Sequence, residues 1–181
     1  MSSTGNVFAG TGENNAGIGA TLWSTPGNVT ADDASDATCA AGASSQYLVA
    51  RNFNFSSIPA GALIDGILVR ISASEHSPST EALRAQLQDA SGTLFGSSKT
   101  ASNEGNISGT TKAVYTYGSA RDRWGVATSL LTRAVVQDAD FGVRFWFVTA
   151  HDVRINYVTM AVDWRIPLEA IARKQNRLLK M

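Results

Sequence analysis

Seven or eight short apolar stretches, separated by turn residues, predict an all-β fold: an antiparallel sandwich or jelly roll. Two further observations support this. Several stretches alternate apolar and polar residues with the period of two that a half-buried strand requires. None is followed by the helix of roughly 10–15 residues that a parallel sheet needs for its crossover.

The elements follow in chain order. Residues 1–22 contain few large apolar side chains and are punctuated by Gly5, Gly10, Gly12, Gly17 and Gly19. Glycine at that density disfavours long helices and strands, so an extended N-terminal arm is expected, ordered only where something holds it. The sandwich is expected over 23–166. Its first strand covers 46–55, through Tyr47, Val49, Phe53 and Phe55. Pro59-Ala60-Gly61 makes a turn. Over 63–73, Ile67, Val69, Ile71 and Ala73 alternate with Leu68, Arg70 and Ser72. Leu83, Ala85 and Leu87 then point inward, with Arg84, Gln86 and Gln88 outward. Asp89-Ala90-Ser91-Gly92 is a hairpin signal.

A polar loop is expected over 96–111 and a strand over 112–117. Helical spacing over 128–137 predicts a short helix or turn crossing one end of the sandwich. Strands at 141–149 and 153–166 meet at a tight His151-Asp152 turn. Both faces of the middle of 153–166 carry apolar residues, as a strand buried on each side would. The period changes at 167–181. Pro167 suits a first helical position. Glu169 near the start and Arg177 and Lys180 near the end match the helix dipole. Leu168, Ile171, Leu178 and Leu179 recur at helical spacing, with Arg173, Lys174 and Arg177 elsewhere on the surface. This predicts a short basic amphipathic helix. Such a helix is marginal alone in water, and a sandwich already buries both inner faces. Those seven residues are therefore the expected partner-docking site.

Composition excludes several function classes. The chain has 181 residues, is 44% hydrophobic and carries zero formal net charge. That suits one folded domain and supplies no global field for nucleic acid or a membrane surface, so no specific nucleic-acid binding is expected. Cys39 is the sole cysteine, which rules out an intrachain disulfide and a thiolate metal cage. The first five residues lack the basic and apolar regions of a signal peptide. No apolar run approaches the ~20 residues of a membrane span.

No residue constellation points to catalysis, a cofactor or a metal. His76 and His151 lie in or beside turns, without a second ligand at metal-site spacing. Asp32, Asp33 and Asp36 lack the spacing and closing glutamate of a calcium loop, and suit turn and capping roles. No strand–turn–helix elbow singles out a serine nucleophile. The four tryptophans invite a sugar-binding reading. Trp146 and Trp164 fall inside strands, where packing is the default. Trp23 and Trp124 have loop-like contexts and are the candidates for glycan contact.

Several runs resemble a jelly-roll module of tailed-bacteriophage virion structural proteins. They are Trp23-Ser24-Thr25-Pro26-Gly27-Asn28 with Asp32-Asp33, Tyr47-Leu48-Val49, Phe53-Asn54-Phe55, and the central Ile58-Pro59-Ala60-Gly61-Ala62-Leu63-Ile64-Asp65-Gly66-Ile67. Tyr117-Gly118 leading to Trp124-Gly125, Phe141-Gly142-Val143-Arg144 and Val153-Arg154-Ile155 agree. The likeness spans about 23–164, and its central run is the most specific part. The resemblance implies a non-enzymatic virion subunit, synthesised in the host cytoplasm and placed in the tail or neck. Its expected partners are other virion proteins and further copies of itself. Two alternatives are a capsid decoration protein and a glycan-binding module that recognises the bacterial surface.

Overall fold

The computed structural model describes residues 1–75, 82–101, 107, 109–148 and 152–168. The chain forms two antiparallel β-sheets packed face to face. Its strands are β1 (Ser2–Ser3), β2 (Val7–Phe8), β3 (Thr11–Asn15), β4 (Trp23–Ser24), β5 (Ala37–Cys39), β6 (Tyr47–Arg51), β7 (Leu63–Glu75), β8 (Arg84–Gln88), β9 (Leu94–Lys99), β10 (Ala113–Ser119), β11 (Gly142–Trp146) and β12 (Val153–Arg165). A 3-10 turn at Pro26–Val29 and a one-turn helix at Arg133–Val136 complete the described elements. The larger sheet runs β10-β7-β12-β5-β4, with β1 and β2 added along β12. The smaller runs β3-β6-β11-β8-β9.

The alternation read from the sequence places the core. Ile67, Val69, Ile71 and Ala73 of β7 face Ala85 and Leu87 of β8, Leu48 and Ala50 of β6, and Val143 and Phe145 of β11 in one buried cluster. Tyr117 of β10 meets Phe145 of the opposite sheet edge to face, with ring centroids 5.7 Å apart. The predicted hairpin forms at Asp89, whose Oδ1 accepts the backbone N–H of both Ser91 and Thr93 at 2.9 Å. Gly66 accommodates a close approach, since a Cβ there would lie 2.3 Å from the Ala120 carbonyl carbon. A register shift against β12 accompanies it.

Three expectations need correction. First, the N-terminal segment is not a projecting arm. β1 and β2 pair with β12, and β3 pairs with β6, so residues 2–15 cross from one sheet to the other along one side of the sandwich. Thr4 donates its N–H to Val162 O at 3.0 Å, and its Oγ1 accepts the Val162 N–H at 3.0 Å. The glycines serve close packing here. A Cβ on Gly12 would sit 2.1 Å from Pro26 O. Second, β12 is buried on both faces from Val158 to Val162, as expected, but its alternation is not continuous. Ile155 pairs with Ala73 while Tyr157 pairs with Ser72, so Asn156 is an extra residue that bulges and reverses the alternation. Val153 and Ile155 enter the core before it, and Val158, Met160 and Val162 after it. Third, the polar stretch after Gly96 is not all loop, because β9 extends through Lys99.

Candidate functional site

Most of the residues singled out for partner docking, Ile171, Arg173, Lys174, Arg177, Leu178 and Leu179, lie outside the described residues, as do His76 and His151. Leu168, the first of the apolar stripe, is 82% exposed.

Trp23 and Trp124 offer no sugar platform, because both rings are fully buried. Trp23 stacks on Phe147 at 6.3 Å and donates its Nε1–H to Gln46 O at 3.0 Å. Asn14 holds its backbone at both ends, accepting the Trp23 N–H at 2.9 Å and donating to Trp23 O at 2.7 Å. Trp124 donates its Nε1–H to Ile67 O at 2.9 Å. Trp23 begins β4 and Trp124 lies in a turn, yet both are core in the fold, which local sequence does not reveal. Asp33 and Asp36 have structural roles. Asp33 Oδ1 accepts the Ser35 N–H, and Asp36 pairs with Lys112 at 2.6 Å. Burial, and secondarily the Asp152 carboxylate, push the Cys39 thiol up to about 11, so it is not a reactive thiolate at neutral pH.

The side chains that do converge lie on the outer face of the smaller sheet. With Leu48 and Ala50 in the core, Tyr47, Val49 and Arg51 point the other way. Glu13, Val49, Arg144 and Gln86 stand in one row across β3, β6, β11 and β8, and Thr11, Arg51, Gly142 and Gln88 in the next. Between these rows and the β8–β9 turn is a groove of about 330 Å³ lined by Glu13, Asn15, Val49, Arg51, Gln88, Ser91, Gly92, Asp140 and Arg144, among others. Val49 contributes almost no surface to it, being 1% exposed, and Gly142, the neighbour of Arg51 across the sheet, packs tightly against β6. A Cβ on Gly142 would sit 2.2 Å from Ala50 O and 2.9 Å from Arg51 Cβ.

Each guanidinium beside the groove is fixed. Arg51 donates from Nε to Glu13 Oε1 at 2.9 Å and from Nη1 to Asp140 Oδ1 at 2.7 Å. The hydrogen bond to Glu13 is the main cause of a raised Arg51 pKa, with its burial opposing and the charges of Glu13 and Asp140 reinforcing. Arg144 donates from Nε to Gln88 Oε1 at 2.8 Å and from Nη2 to Gly92 O. It lies over the Tyr47 ring, 5.0 Å from the centroid. Tyr47 in turn meets Trp146 edge to face at 5.4 Å. Gln88 passes the order on, donating from Nε2 to Asp140 O at 2.7 Å.

The result is a rigid set of donors and acceptors, with both bordering carboxylates engaged by one guanidinium. That suits recognition by hydrogen bonds. No group of three or more metal-ligating side chains occurs among the described residues.

No family model, curated protein or solved structure matches the chain.

Asp89 anchors the turn at the groove's rim. Burial alone would raise its pKa, but the bonds from Ser91 and Thr93 and the charge of Arg144 hold it below the ordinary value of 3.8. A lowered folded-state pKa adds stability above the unfolded value, and this is lost as pH falls through the folded one. Asp89 is only half-buried, so solvent screening keeps the effect below about 1 kcal/mol. Asp89→Ala should therefore lower the urea midpoint slightly at pH 7. The two midpoints should converge in acid below 3.8, checked by parallel denaturation curves.

Proposed function

We propose that the chain is a non-enzymatic structural subunit of a bacteriophage virion, a jelly-roll module of the tail or neck. The observation that supports this best is strand order. With the additions β1–β4 set aside, the eight strands β5–β12 lie as β10-β7-β12-β5 and β6-β11-β8-β9. Two Greek keys folded over one another produce this order in a jelly roll. The residues of the central resemblance serve that fold, shaping the turn before β7 and its close approach to the Ala120 segment.

The tail carries the docking part of the reading. Leu168 is left in solvent where β12 ends, so the stripe begins with an apolar group that the sandwich has not used. The N-terminal segment is already paired within its own sheets, which concentrates docking on 167–181.

Deleting 167–181 tests this. The truncated protein should keep its far-ultraviolet circular dichroism and its thermal midpoint. Its incorporation into particles should fall about tenfold or more, since one decade is 1.4 kcal/mol and burying one leucine is worth about 1.5–3 kcal/mol gross. Wild-type incorporation would remove the docking proposal. Binding of the full chain to tail-less heads would move its address from tail or neck to capsid decoration.

A further inference from the structure

We infer that the groove on the outer face of the smaller sheet is a binding site for an uncharged saccharide, with Arg144, Arg51, Gln88 and Asp140 as its hydrogen-bonding groups. The inference does not depend on where the chain assembles.

The first argument is charge. Arg51 and Arg144 are balanced by Glu13 and Asp140 along the lining, and Asp89 stands near Arg144. An anion would meet one guanidinium already held by two carboxylates and no net positive potential. A neutral ligand is not penalised. The second is functional-group pattern. Arginine only donates, carboxylates only accept, and glutamine does both. Sugar hydroxyls do both as well, so a polyol satisfies such a mixed border where a purely accepting or purely donating ligand does not.

The third argument is preorganisation. Arg144 is 8% exposed, and its Nε and Nη2 are committed to Gln88 and Gly92. Its Nη1 has no protein partner among the described residues and belongs to a side chain that borders the groove. Holding a guanidinium this firmly removes most of the ordering cost that a ligand would otherwise incur. The fourth is shape. A volume of about 330 Å³ lies at the small end of ligand pockets, roughly 300–1,000 Å³. An extended peptide would instead seek an open strand edge or several apolar pockets, and this groove lies on a sheet face with a mostly polar lining.

The test is a ¹H–¹⁵N shift titration of the full chain. Glucose, galactose, mannose, rhamnose and N-acetylglucosamine are the probes, with glucuronate and inorganic phosphate as anionic arms. At least one neutral sugar should give saturable shifts at Gln88, Ser91, Gly92, Asp140 and Arg144. Arg144→Lys keeps the charge but loses the fork, and should weaken binding about tenfold, the size of one charge-assisted hydrogen bond. Ala90→Trp fills the rim without touching the network, and should do the same if Arg144→Lys proves unstable. No saturable shift with any neutral sugar would overturn the inference. So would shifts centred elsewhere, a preference for either anion, or undiminished binding by Ala90→Trp.

Discussion

Replacing Trp124 with alanine is expected to cost about 3–5 kcal/mol from lost burial and the cavity left behind. That is a large fraction of a typical total stability of about 5–15 kcal/mol. The indole is fully buried, and its Nε1–H is the donor to Ile67 O. Its removal leaves that carbonyl short of a partner. Two of its neighbours have nothing with which to fill the void. A Cβ on Gly118 would lie 2.6 Å from the indole Nε1, and one on Gly96 would lie 2.3 Å from Trp124 O. Both neighbours are already reduced to glycine to admit the residue, so neither has a side chain to swing into the void. Trp124 itself has φ 57°, in the left-handed region where a bulky residue is strained. Alanine would retain much of that backbone cost without the buried ring that offsets it. For a domain of this size the thermal midpoint should fall by roughly 6–20 °C, at about 2–4 °C per kcal/mol. Trp124→Phe should recover part of the loss, because it refills volume but not the hydrogen bond. Calorimetry of the two variants separates these contributions.

Gly12→Ala is expected to destabilise by about 3 kcal/mol, the upper end of the usual range for overpacking. The added methyl would meet Pro26 O at 2.1 Å and Val29 Cγ2 at 2.6 Å. The valine could rotate, but the carbonyl belongs to the 3-10 turn at Pro26–Val29. Relief therefore requires moving either that turn or β3. Since β3 is an edge strand whose one strand partner among the described residues is β6, it should yield first. Hydrogen exchange should then accelerate at Val49 and Arg51, whose parity faces β3, with little change at Val143. Equal protection in wild type and variant across β6 would disprove this account of the arm.

How far the sequence could be read depended on the regularity of each element. β8 was legible because its alternation is unbroken, from Leu83 through Leu87. β12 is legible as a strand buried on both faces from Val158 to Val162, but the Asn156 bulge, which moves the core set from one parity to the other, leaves no mark in the pattern. The N-terminal segment resembled a disordered arm because β1 and β2 are two residues each, too short for periodicity to register. Its glycines signalled tight contact with Pro26 and with Asn52 O, which a Cβ on Gly10 would approach to 2.7 Å. Trp23 and Trp124 were misplaced for a related reason. Turn-rich neighbours describe the local backbone and are silent about which distant strand covers a ring. The groove was invisible as a unit. Glu13, Val49, Arg51, Gln88, Asp140 and Arg144 come from four strands and the approach to one of them, and only the register of the smaller sheet makes them neighbours.

The pairing of Thr4 with Val162 also imposes an order in time. These residues are 158 positions apart, so during synthesis β1 and β2 emerge long before the strand edge they complete. Contacts of such separation form late, because loop closure must precede them. Until β12 arrives, β1 and β2 have no strand to pair with, and the nascent β12 edge has no cover until they return. The earliest residues translated are thus the last to lock. A ribosome-bound chain stalled before 153 should leave residues 1–9 open to protease, and the finished chain should protect them.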